Sequence, residues 1–200
     1  MQMKINQEER KTTRQVRSLP TTFTTRDDEK GKHICGHFSL FNSIYEWWPG
    51  YTEEIMPGAF DGQTEGDVRA LTDHVTHLVL GRTVAGTLKL TVDEKGLYGD
   101  ILINEADTDA LNLYARVQRG DVSQCSFGFD ILDEEVEYRE DGSVHYKVNA
   151  VKLYEVSVVT FPAYEDTTVE ARKLAEDNKR KRKLDAEKSK LRKKVEALKC

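Results

Sequence analysis

Cysteine is scarce: Cys35, Cys125 and Cys200 are the three in 200 residues. An odd, widely spaced set suits neither a disulfide framework nor a zinc site, so a reduced, cytosolic chain is expected. Proline is almost as rare, with four. No apolar run is long enough to span a bilayer, and the opening stretch MQMKINQEERKTTR lacks the apolar middle of a secretory signal. Apolar residues make up only 38% of the chain against 32% charged, so part of it is expected to lie outside any core. The length suits one domain with an appendage, or at most two small domains.

What charge there is falls unevenly. Residues 171–200 hold 13 Lys/Arg against 5 Asp/Glu, a net of +8, and the chain total of −5 leaves −13 on residues 1–170. A basic tail on an acidic body invites a nucleic-acid or scaffold partner for the tail; a solvated charged helix accounts for it equally well. From residue 165 on there is no Gly or Pro, and Leu184, Leu191 and Leu198 recur every seven positions beside Val195. That is one narrow apolar stripe, suited to a short coiled coil or docking helix, or to an isolated helix that frays.

Between the ends the pattern is mostly β. Residues 1–14 are charged and aperiodic and are expected to form a flexible arm. A short strand is expected near Gln15–Leu19. KHICGHFSLFN alternates as a strand with Ile34, Phe38 and Leu40 on one face, leaving His33 and His37 on the other as surface residues. EWWPGYTEEIMPGAFDG, with its two Pro-Gly turns, reads as loop with short pieces of structure. VRALTDH offers a strand ending at His74, and LVLGRT, GTLKLTV and LYGDILI continue the β signal. Asp107 or Thr108 can cap a helix that carries Ala110, Leu111, Tyr114 and Val117 as its stripe and stops at Gly120. Asp141–Gly142 marks a hairpin turn, followed by a long β segment ending at VKLYEVSVVTFP.

Three residues stand out chemically. In QCSFGFD, period two puts Cys125, Phe127 and Phe129 on an apolar face and Ser126 and Gly128 on the other. Cys125 is thereby claimed by the core, and Ser126 is the nucleophile candidate. Serines on sheet faces are common, so Ser126 needs a base within hydrogen-bond reach and a group to orient that base. His74 and His77 flank the short turn DHVTH; His74, at a strand end, is the better-held base, and a zinc reading of the pair lacks a third ligand. His145, just past the hairpin turn, is expected to be exposed. Glu155 is a mid-strand carboxylate among Tyr154, Val156 and Val158, which calls either for a salt-bridge partner or for a histidine to orient.

These blocks resemble those of the tailed-phage prohead protease family, capsid maturation proteases whose fold is related to the herpesvirus assembly protease. GHFSLFNSIYEWWPGYTEEIMPGAF, LTDHVTHLVLGRTVAGTLKL, GLYGDILI, RGDVSQCSFGFDI and VKLYEVSVVTFPAY follow the family order over roughly residues 15–170. The family's Asn-His-Asp block is here Thr72–Asp73–His74–Val75, before Leu80–Gly81–Arg82. Its Ser-hydrophobic-Gly-Phe block is Ser126–Phe127–Gly128–Phe129, and its Glu-Val-Ser block is Glu155–Val156–Ser157. The resemblance implies an α+β, mainly β fold: an antiparallel, herpesvirus-protease-like barrel over residues 15–170 with a few helices, followed by the charged helical tail 171–200. It implies a serine endopeptidase with His74, Ser126 and Glu155 as its triad and with no metal or organic cofactor. The expected partners are scaffold or major capsid protein, inside an assembling procapsid in the host cytoplasm, with self-cleavage and self-association open; no membrane is involved, and nucleic acid is left open only for the tail. Arg82 and the backbone near Gly128 are the candidate oxyanion donors. A non-enzymatic assembly protein that kept the fold is the rival. A free esterase is disfavoured, because Gln124 stands where the nucleophile elbow needs its first glycine.

Overall fold

The computed structural model describes residues 7–161. In chain order these form α1 (Gln7–Thr12), β1 (Gln15–Pro20), β2 (Thr24–Asp28), β3 (Gly31–Leu40), β4 (Tyr45–Trp48), β5 (Tyr51–Ile55), β6 (Arg69–Thr72) and β7 (Val75–Arg82). A 3-10 turn at Thr83–Ala85 leads to β8 (Leu88–Val92), β9 (Gly96–Leu102), α2 (Thr108–Arg119), β10 (Gln124–Tyr138) and β11 (Val144–Val159). The mainly β content with few helices is as the sequence leads one to expect. Of the arm over residues 1–14, residues 1–6 lie outside the described residues, as does the tail 171–200; Gln7–Thr12 is helical.

The expected antiparallel barrel is not what forms. Among the described residues the strands divide into two sheets that are not closed: a seven-stranded one ordered β1-β10-β11-β5-β4 with β6 and β7 branching from β11, and a four-stranded one ordered β2-β3-β9-β8. Pairing is not purely antiparallel either. β11 is long enough to serve two parallel neighbours in succession, β5 along Val144–Val148 and β6 along Glu155–Val158. The β10–β11 hairpin, joined across Asp141–Gly142, is the spine of the molecule.

The period-two reading of QCSFGFD holds. Cys125, Phe127 and Phe129 are buried in one apolar cluster with Ile34 and Phe38 of β3, Leu97 and Ile101 of β9, and the α2 stripe. Phe127 stacks on Phe129 at 4.8 Å and meets Phe60 edge-on at 5.7 Å. α2 starts where Asp107 accepts hydrogen bonds from the amides of Asp109 and Ala110, and it stops where Gly120 turns left-handed at φ 87°. The other face of β10 carries Ser126 and Gly128. It is level with Ser18 on β1 and with Ser157 and Glu155 on β11.

Candidate active site

β6 and β7 are joined by two residues only, since Thr72 pairs with Val75. Asp73 and His74 both have positive φ, 48° and 60°, as a type I′ turn requires. Asp is at home in this conformation, but His occupies a position that favours glycine and costs on the order of 1 kcal/mol in strain. The turn is fastened to the end of β11. The Asp73 N–H donates to the Val158 carbonyl at 3.0 Å, while its carboxylate accepts from Thr160 N–H at 2.7 Å and Thr160 Oγ1 at 3.1 Å.

So held, His74 Nδ1 lies 2.7 Å from Glu155 Oε1. An ionised carboxylate only accepts, so Nδ1 carries the proton and, in the neutral ring, Nε2 keeps its lone pair. Nε2 is buried and has no hydrogen-bond partner among the described residues. The carboxylate is held at its other oxygen by Ser157 Oγ, which donates to Oε2 at 2.6 Å. Gly128 is directly across from Glu155. A Cβ there would fall 2.5 Å from Oε1, so the glycine makes room for the carboxylate rather than for a substrate.

Ser126 is buried on this same face, one rung along, directly across from Ser157. It is the diagonal neighbour of Glu155, about 7 Å away by sheet geometry, a gap that an imidazole bonded at both nitrogens can bridge. Its hydroxyl is not bonded to His74; Oγ donates to the Arg17 carbonyl at 3.0 Å. Two of the three sequence candidates are therefore in contact, and the third shares their sheet face. Cys125 is on the opposite face, where burial pushes its thiol up to about 12.

Other expectations are corrected. Arg82 is paired with Asp67 through Nε and Nη2, both at 2.7 Å, rather than with any residue of the candidate triad. His145 is buried: β5 pairs alongside it, and Thr52 Oγ1 and Glu54 Oε1 bond its two nitrogens at 2.8 and 3.0 Å. His33 is also buried, with Nδ1 at 2.6 Å from Asp100 Oδ1. Ser157, Asp73 and Thr160 were not singled out from sequence as supports of the pair. Only the i, i+2 spacing of Glu155 and Ser157 on one strand face offered a signal. Among the described residues, no group of three or more His, Cys, Asp or Glu is arranged to hold a metal ion.

A carboxylate-bound histidine with its second nitrogen unpartnered, on the sheet face of a serine, is equipment for acyl transfer. Residues 21–181 match the family described as caudovirus prohead serine protease, and the chain belongs to that family. It is similar to the prohead protease of Enterobacteria phage HK97, 28% identical over 138 residues that cover 69% of this chain and 60% of that protein. The chain thus spans about 60% of the length of that relative. Among solved structures it resembles the bacteriophage T4 capsid assembly protease, with a TM-score of 0.50 at 11% identity, covering 74% of this chain and 97% of that one; this likeness speaks to the fold alone.

Proposed function

We propose that this chain is a serine endopeptidase of phage capsid maturation, with Ser126 as nucleophile, His74 as base and Glu155 as the carboxylate that orients it. The observation that carries this reading is the His74–Glu155 pair, its Nε2 unpartnered, on the sheet face of Ser126. Reaction begins when Ser126 Oγ turns from the Arg17 carbonyl to Nε2. As Oγ attacks the scissile carbonyl its proton passes to Nε2; collapse of the tetrahedral intermediate breaks the C–N bond, and the same proton leaves with the amine. Water then repeats the sequence to release the acyl group from Ser126. Glu155, acceptor-only, favours the imidazolium formed in each half.

The substrates proposed are scaffold or the scaffolding segment of the major capsid protein, with this chain itself as a further one, inside the assembling procapsid. The basic residues beyond 170 would tether the enzyme to an acidic scaffold segment. The rival, an assembly protein without activity, draws on the buried Ser126 and its bond to Arg17. Co-expression with the major capsid protein of the same phage, followed by intact mass measurement, separates the two. Cleavage by the wild type that is lost in Ser126→Ala and His74→Ala, and slowed on the order of 10²–10⁴-fold in Glu155→Gln, supports the protease. Unchanged masses with the wild type refute it.

A further inference from the structure

The strand that leaves the candidate base is incompletely paired. Among the described residues β7 has β6 as its sole ladder partner, and the register jumps from Thr72↔Val75 to Leu71↔Val79. Thr76, His77 and Leu78 therefore have no partner residue on any described strand, although their backbone is extended. In a two-residue hairpin the residues flanking the turn exchange both bonds with each other. Val75 thus directs its N–H and C=O toward β6, and alternation sends those of Thr76 and Leu78 to the open edge. Thr76 and His77 are exposed.

The far end of β7 is closed off differently. The Arg82 N–H is taken by Thr87 Oγ1 at 2.9 Å, and a Cβ on Gly81 would fall 2.6 Å from the Thr87 carbonyl oxygen. The open stretch is therefore confined to the half of the strand that adjoins His74. Alongside Val79, itself 41% exposed, lies a cleft of about 590 Å³ whose walls include Gly81, Ala85, Leu102 and Glu105. From Val75 to Val79 a strand covers about 13 Å.

We propose that the open edge of β7 at Thr76–Leu78 binds the peptide substrate as an added β-strand, with a side chain a few residues from the scissile bond seated in the cleft beside Val79. This rests on the protease reading and names its substrate class: an extended, locally unfolded segment rather than a folded surface loop. The occupant is a peptide because the edge begins two residues after the base. A chain cleaved at Ser126 and His74 must pass this edge or turn away from it, and here it finds backbone donors and acceptors that no described strand pairs.

The test uses the full chain. Once co-expression has mapped a cleavage site, a synthetic peptide of about twelve residues spanning it is added to the Ser126→Ala protein, and amide hydrogen exchange is read residue by residue. Exchange at Thr76 and Leu78 should slow by at least about tenfold, with no such change on β2. In parallel, Thr76→Pro, which removes the N–H from an edge position that tolerates proline, should process at least about tenfold more slowly than Thr76→Ala, which keeps it. Thermal melting checks that both variants fold. Exchange that is unchanged on adding peptide overturns the proposal, whatever the proline variant does. Equal processing by the two Thr76 variants overturns it as well, while leaving the protease reading intact. A wild type that cleaves nothing removes both together.

Discussion

Alanine at Gly128 separates the orientation of His74 from the stability of the fold. The added Cβ would lie 2.5 Å from Glu155 Oε1 and 3.2 Å from its Cδ and Cγ, where ordinary contact begins at 3.4 Å. The carboxylate must retreat by about an ångström, and Oε1 is the atom that His74 Nδ1 bonds at 2.7 Å. Movement of that size along the bond takes it outside hydrogen-bond range. The strand cannot easily yield instead, since β10 is held on both sides, by β1 and β11. Gly128 is not among the positive-φ glycines, so the backbone itself accepts alanine. At such sites Gly→Ala even contributes about 0.4–1 kcal/mol by restricting the unfolded chain. The melting temperature should therefore move little, while processing falls on the order of 10²-fold, the usual effect of a catalytic group misplaced by about 1 Å. Processing is followed by intact mass over time, and the His74 Nδ1–H resonance by nitrogen-resolved NMR. A Gly128→Ala protein that processes within about threefold of wild type and keeps that resonance would refute the claim that the Glu155 carboxylate orients the base.

The remaining expectations concern the body around the site. Cys125→Ala should process normally and lose about 1 kcal/mol of stability; since burial pushes the thiol up to about 12, alkylating reagents at mildly alkaline pH should not modify Cys125 in the native protein. Rapid alkylation there, or loss of processing, would contradict the face assignment. His145→Ala strands Thr52 Oγ1 and Glu54 and should cost about 1–3 kcal/mol in urea denaturation, whereas an unchanged midpoint would mean that these bonds contribute nothing net. Acid should weaken the fold through Glu53. Burial pushes its pKa up, but Arg17 and Arg10 beside it outweigh that and hold it below the ordinary 4.5. A carboxylate depressed in the folded state contributes stability above its unfolded value and loses it as pH falls through the folded one. The urea midpoint should thus decline below pH 4.5, and less steeply in Glu53→Gln.

How far the fold can be read from the chain depends on how local its causes are. Asp107 as cap, the α2 stripe and Gly120 as stop are all within a few residues of the backbone they shape, and each is found as expected. The Asp141–Gly142 turn and the two faces of QCSFGFD are local in the same way. EWWPGYTEEI is not. Its β5 exists because β11 lies beside it in parallel, about 90 residues later, and β4 pairs in turn with β5. Glu53 in that stretch looks like a surface carboxylate, yet it is 1% exposed. Its burial rests on Arg17 and Arg10, 36 and 43 residues upstream, a coincidence of distant positions that no periodicity reports. The same holds for His145, which is covered by strand pairing rather than by any feature of its own neighbourhood. The barrel expected from the family resemblance failed at the level above. The strand inventory was broadly right, but which edges meet depends on register shifts such as the one that leaves Thr76–Leu78 unpaired.

The candidate site was legible for a different reason: Glu155 breaks a local rule, as a charge in the middle of an apolar strand, and His74 is a base at the end of one, both within blocks that resemble the family's. The turn expected between His74 and His77 forms instead at Asp73–His74, where Asp-His lacks the Asp-Gly signature of type I′ turns. Sequences that fold well agree with themselves at every level, and departures from that agreement concentrate where function demands them. Here each departure is compensated by a specific contact. The left-handed His74 is offset by the three hydrogen bonds that fasten Asp73 to Val158 and Thr160. The buried Glu155 is offset by Ser157, by His74 and by the absence of a side chain at Gly128. His74 Nε2 has no such partner among the described residues, where it is one of several buried polar atoms left unbonded. An unbonded nitrogen on the sheet face that carries Ser126 is what the proposed general-base chemistry requires.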